Sequence, residues 1–207
     1  INVLGTKILR EEALQKKIRP FIYISTMNVY DNNKLLSNGF KETSPTKPIT
    51  NYAKSKLLGE NELCSLDQSG LLIYRASNIV GSKLHAGSLL GGIIDSMQNK
   101  KKISIYGDGK RVYDFICAKY FSEIIIEGIK SSLVGLFNIG CGEKSSVYWM
   151  AKEIQKLTSL EIVKRQKYIE KNDAYMDCSK IELLTKVHRP NRKEILLKML
   201  KQNNLIG

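Results

Sequence analysis

Short apolar runs alternate along this chain with stretches of helical periodicity, and the alternation fixes its class. FIYIS (Phe21–Ser25), LLIYR (Leu71–Arg75) and the run Leu136–Ile139 read as strands. Helical patterning is carried by Ile1–Lys17, by the segment from Thr50 or Asn51 to Asp67, and by Ser88–Asn99, Phe121–Lys130 and Val147–Leu157. A last strand is expected over Glu161–Arg165, with short helices near Ser179 and from Arg192 onward. Strands separated by helices pair in parallel, so the pattern predicts an α/β fold around a mainly parallel sheet. Gly107-Asp108-Gly109-Lys110, set between Ile103–Tyr106 and Arg111–Phe115, predicts a turn joining two short strands.

The 207 residues can bury a sizeable core, with 43% hydrophobic and 26% charged residues as in ordinary folded proteins. No apolar run approaches the ~20 residues of a membrane-spanning helix, and no membrane partner is expected. The chain opens on Ile1 in a helical pattern with no capping residue in front of it, and lacks the build of a signal or transit peptide, so it is expected to start inside a domain. Cys64, Cys117, Cys141 and Cys178 are widely spaced and form no CxxC pair, which fits free thiols and a cytoplasmic location, with no metal site expected. The net charge of +13 suits an anionic partner. The lysines are scattered, however, with no run longer than Lys100-Lys101-Lys102, and the pattern reads as a solvated surface rather than a nucleic-acid interface.

The chemistry concentrates between Phe21 and Lys56. The first strand ends in Ser25 and Thr26, and Tyr52 and Lys56 stand one helical turn apart, where they share a face. A cation beside a phenol favours the phenolate, which makes Tyr52 a usable acid or base near neutral pH. Thr26 could hold the oxygen that gains or loses the proton. Such a set suits interconversion of a secondary alcohol and a ketone, with a nicotinamide exchanging the hydride. Spacing alone does not select the pair, because Tyr-x-x-x-Lys also occurs at Tyr30/Lys34, Tyr106/Lys110 and Tyr148/Lys152. Only Tyr52 opens a helix after a proline-containing loop, downstream of a strand that ends in hydroxyls.

Six blocks in order extend the pattern: Asn2-Val-x-Gly-Thr6; Tyr23-Ile-Ser-Thr26 with Val29-Tyr30; Pro48-x-x-x-Tyr52-x-x-Ser-Lys56-x-x-x-Glu60; Arg75-x-x-Asn78-x-x-Gly81; Tyr106-Gly-Asp-Gly109 with Asp114-Phe-Ile116; and Phe137-Asn-Ile-Gly140. In these the chain resembles the extended short-chain dehydrogenase/reductases, the nucleotide-sugar epimerase/dehydratase family. The resemblance implies a partial Rossmann-like, doubly wound parallel sheet with a small C-terminal substrate-binding lobe. Residues 1–80 would be the later part of the dinucleotide-binding domain, and residues 81–207 mainly the substrate lobe. It implies Thr26, Tyr52 and Lys56 as catalytic, with Tyr52, Lys56 and Asn2 on the NAD or NADP side and Asn78 on the substrate side. It also implies a nucleotide-diphosphate sugar as substrate and a homodimer built on helices that include the one bearing Tyr52, where Leu57, Leu58 and Leu63 supply apolar side chains that would serve equally as core.

The chain departs from that family in three places. The Gly-rich turn that receives a cofactor pyrophosphate, with its strand and helix, is absent from the sequence, and tight NAD binding by this chain is not expected. Tyr113 precedes Asp114 where the family has Arg, so Arg111 or Lys171 is left to meet a diphosphate; Ala118-Lys119-Tyr120 and Glu170-Lys171-Asn172-Asp173 also replace family elements. Met27 and Asn28 stand where dehydratases of the family carry acidic residues, and neither transfers protons at neutral pH. The reading is an NAD(P)-dependent nucleotide-sugar epimerase or 4-keto-sugar reductase. The rival readings are an inactive remnant or binding module of the same family and, behind it, an RNA-binding relative.

Overall fold

A computed structural model describes residues 2–31, 38–82, 84–85, 87–166 and 173–207. Lys34 and positions 170–172 of the sequence motifs lie outside them. Three parallel strands form the central sheet in the order β1 (Phe21–Thr26), β2 (Leu71–Ala76) and β6 (Gly135–Ile139). Two smaller parallel pairs complete the strands: β3 (Asn78–Val80) with β5 (Phe115–Cys117), and β4 (Ile103–Tyr106) with β7 (Ile162–Arg165).

Every residue of β2 is buried, as a middle strand covered on both faces must be. Its side chains alternate. Leu71 and Ile73 join Tyr23 of β1 and Leu63 in a small cluster on one side, whereas Leu72, Tyr74 and Ala76 enter the main core on the other. The small cluster lies under α2 (Asn51–Cys64), which packs beside α1 (Leu4–Gln15). The main core is closed by α3 (Leu89–Lys100), α4 (Ala118–Lys130), α5 (Val147–Thr158), α6 (Ser179–Leu184) and α7 (Arg192–Gln202), all of which bury apolar side chains in it.

Helix starts follow local chemistry. Thr50, Ser88 and Ser146 each accept a backbone N–H of the first turn of α2, α3 and α5, and Asn191 and Glu194 form a reciprocal capping box on α7. The first residue of α1 follows Val3, which offers no side-chain cap.

The chain corrects one expectation. The turn at Gly107 and Gly109 is present, both at positive φ, yet the segments beside it do not pair as a hairpin. β4 pairs with β7, and Phe115 pairs with Asn78 of β3. Residues between them are held by α5 instead: Tyr148 donates its backbone N–H to Gly109 and Val147 donates to Arg111. Long-range partners outcompete the local turn.

Candidate active site

The candidate site is built where the C-terminal end of β1 meets the first two turns of α2. Thr26 ends the strand almost buried, and its Oγ1 accepts the backbone N–H of Asn28 at 3.3 Å, capping the short 3-10 turn Met27–Val29. Tyr52 stands in the first turn of α2 with half of its surface exposed (53%). Lys56, one turn on, extends back to β1, where its Nζ donates to the carbonyl of Ile24 at 2.8 Å. The ammonium also sits 4.9 Å from the centroid of the Tyr23 ring. Burial pulls the Lys56 ammonium below its ordinary value.

Tyr23 shares this corner. Burial pushes its phenol up to about 12, with the charge of Glu60 adding to the effect and a hydrogen bond to Thr6 opposing it. Asn2 stands just before α1 and ties the two helices together: its Nδ2 donates to Ser55 Oγ at 3.0 Å, and its carbonyl accepts from Thr6 at 2.8 Å. Asn2 therefore sits against α2.

Asn78 and Arg111 are held by different contacts. Asn78 Nδ2 donates to the carbonyl of Asp114 at 2.8 Å and lies 3.8 Å from the sulfur of Met27, which brings it beside the residue following Thr26. Arg111 stands with its guanidinium 5.7 Å from the Tyr113 ring centroid, its pKa lowered chiefly by burial while Tyr113 and Asp173 act the other way. Its Nε is buried without a hydrogen-bond partner among the described residues.

Behind the site lies a buried polar network whose role the sequence did not reveal. Ser25, Arg75 and Asn138 occupy one rung across β1, β2 and β6. Glu60 of α2 accepts from Ser25 Oγ and from Arg75. The Arg75 guanidinium lies 4.8 Å from the Tyr30 ring centroid, and Tyr30 donates its phenol to Asn138 Oδ1 at 2.6 Å. A charged Arg75 inside an apolar strand was the available signal, since a buried guanidinium demands a partner. Asp114 is a second such residue: fully buried, it accepts backbone N–H groups from Cys141 at 2.9 Å and Met176 at 3.0 Å.

The parallel α/β sheet and the Thr26–Tyr52–Lys56 corner define the class, a Rossmann-like fold with a tyrosine-lysine pair on the helix beside the strand end. Comparison with known proteins gives the family. The model of the NAD dependent epimerase/dehydratase family matches residues 1–140, and the chain belongs to that family. Human dTDP-D-glucose 4,6-dehydratase is 31% identical over 161 residues, covering 76% of this chain and 45% of the relative. The chain thus spans less than half the length of that relative. Among solved structures, dTDP-glucose 4,6-dehydratase of Bacillus anthracis, crystallised with NAD, superposes with a TM-score of 0.84 at 20% identity over 98% of this chain and 67% of that one. UDP-glucuronic acid 4-epimerase of Bacillus cereus, in complex with UDP-glucuronic acid and NAD, gives 0.83 at 22% identity over 98% and 67%. These likenesses show the fold. No helix among the described residues is long and apolar enough to cross a membrane.

Proposed function

We propose that this chain carries the acid–base half of an NAD(P)-dependent nucleotide-sugar epimerase or 4-keto-sugar reductase, working in the cytoplasm. The observation that carries the reading is the pairing of Tyr52 and Lys56 one turn apart on α2, at the strand end that bears Thr26. Residues 1–80 supply these groups, and residues 81–207 supply most of the substrate side.

The donor set suits a nicotinamide nucleotide. One N–H of the Lys56 ammonium goes to Ile24, and the partly exposed side chain has further donors for a ribose diol. When bound, the nicotinamide accepts or returns the hydride. Tyr52 takes the proton from the sugar hydroxyl as the carbonyl forms and gives it back when the ketone is reduced. Thr26 Oγ holds that same oxygen, and Lys56 stands one turn of α2 beyond Tyr52. Asn78 and Arg111 orient the nucleotide-diphosphate sugar, Arg111 as a charge held beside Tyr113. Epimerisation uses both half-reactions with a turn of the keto sugar between them; reduction uses the second alone.

Relatives named as dehydratases raise elimination as a rival reaction. Met27, buried and apolar, and the amide of Asn28 argue against it, because elimination needs a proton taken from one ring position and given to a leaving group at another. A homodimer through α1 and α2 is part of the proposal. Leu4 and Leu9 of α1 (67% and 65% exposed) and Leu58 of α2 (52%) offer the apolar face, whereas Leu63 is wholly buried beneath α2 and takes no part.

The test uses the protein as isolated from its source, with its intact mass measured against the 23.4 kDa of this chain. Incubation with NAD(P) and a panel of nucleotide sugars is expected to yield the C4 epimer or the reduced sugar. Tyr52→Phe is expected to lower kcat by about 10²–10⁴-fold. A Tyr52→Phe protein as fast as the parent, or a 4-keto-6-deoxy product, defeats the proposal; a natural protein of 23.4 kDa without turnover turns the reading to a binding module.

A further inference from the structure

Among the described residues, Lys56 is held without a carboxylate of its own. Glu60, one turn further along α2, is occupied by Arg75 of β2 and Ser25 of β1, and Glu62 pairs with Lys7 of α1. The ammonium meets the Ile24 carbonyl at 2.8 Å and the face of the Tyr23 ring at 4.9 Å. The same tyrosine reaches the other end of the residue: its hydroxyl donates to the backbone carbonyl of Lys56 at 3.3 Å.

Gly59 makes this reach possible. A Cβ at position 59 would collide with the Tyr23 hydroxyl and stand 2.8 Å from the carbonyl of Asn2, so any larger residue would lift α2 off the phenol. Tyr23 and Ser25 point to the same side of β1, toward α2, which is why a ring on this strand can lie under the helix.

We propose that Tyr23 is a positioning residue for Lys56, its ring face supporting the ammonium. An ammonium drawn half out of water loses hydration, and the negative face of an aromatic ring restores part of that loss without introducing a competing anion. A carboxylate in the same place would pair with Lys56 and turn it away from the phenol of Tyr52. The ring leaves the charge available. The inference builds on the proposed role of Lys56 in acid–base chemistry, but its content is the state of the Lys56 side chain.

The experiment is NMR of the 207-residue chain labelled with ¹³C at lysine Cε, Lys56 being assigned through Lys56→Arg. In the unmodified protein the Lys56 Hε signals are expected upfield of their position in Tyr23→Leu, because they lie over the Tyr23 ring face; an unchanged position overturns the proposal. In Tyr23→Leu the Lys56 titration is expected to move down by about half a unit, and in Tyr23→Phe to stay in place. Equal titration in the Leu variant and the parent, or an equal drop in the Phe and Leu variants, also overturns it. If the lysine signals behave as expected while Tyr52→Phe leaves turnover intact in the natural protein, the reaction assignment fails and the Tyr23 support stands.

Discussion

Glu60 on α2 grips Arg75 on β2 through a forked contact, Nη2 to Oε2 at 2.6 Å and Nε to the two carboxylate oxygens at 3.1 and 3.2 Å, with both side chains about 5% exposed. The pair bolts the helix that carries Tyr52 and Lys56 to the middle strand of the sheet. Removing one partner leaves a buried, uncompensated charge. Glu60→Ala or Arg75→Ala is therefore expected to cost about 3–5 kcal/mol in urea denaturation, whereas Glu60→Leu with Arg75→Met recovers most of the loss. Single and double variants of equal stability would show the contact to be idle.

Asp114 gives the stability a pH signature. Burial pushes its carboxyl from an ordinary 3.8 up to about 6, against the downward pull of the Cys141 and Met176 N–H donors. A folded value above the unfolded one means that the native state holds the proton more tightly. The contribution is full below about pH 4 and is lost as pH rises through about 6, a swing of about 3 kcal/mol from this group. The stability difference between the parent and Asp114→Asn, followed by urea midpoint, is expected to move against the parent between pH 4 and 6.5. A flat difference contradicts the assignment.

Tyr74 buries a phenolic oxygen with no hydrogen-bond partner among the described residues, pressed against Gly128 of α4. Tyr74→Phe is expected to leave stability unchanged or raise it by about 1 kcal/mol. Gly128→Ala meets the phenol oxygen directly, so it should be tolerated far better in the Tyr74→Phe background than alone. Additive effects of the two changes, read from thermal midpoints, would contradict that coupling.

The proposed dimer predicts its own disruption. Leu9→Glu and Leu58→Glu lie on exposed faces of α1 and α2, so neither should unfold the chain, and together they are expected to halve the mass seen by light scattering. An unchanged mass would place any self-association elsewhere.

Much of this was legible in the residues because it is local. Helix and strand runs announced themselves through periodicity, and Thr50 and Ser88 marked helix starts through a hydroxyl three residues before the N–H it caps. The Tyr52–Lys56 pair was singled out by its surroundings, a helix start after a proline-containing loop, since its spacing recurs at three other tyrosines. What stayed hidden depended on the third dimension. The glycine turn at residues 107–109 was legible as a turn between two short strands, but nothing in the chain around it names β7 as the partner of β4. Leu63 read as either a dimer-face or a core leucine of α2, and only its contact with Tyr23 and Ile73 puts it in the core. Glu60 was visible in a motif, but its partner lies fifteen positions away on another strand.

Tyr52, Lys56 and Glu60 are spaced by four residues along one stripe of α2, the first two facing the proposed chemistry and the last locked to Arg75. The helix therefore acts as a ruler. One residue inserted or deleted between Tyr52 and Glu60 rotates one end of the stripe by about 100° against the other, so the bolt and the acid–base pair cannot both stay in register. Homologous chains that keep this chemistry should hold that interval at constant length, with insertions confined to the loops outside α2.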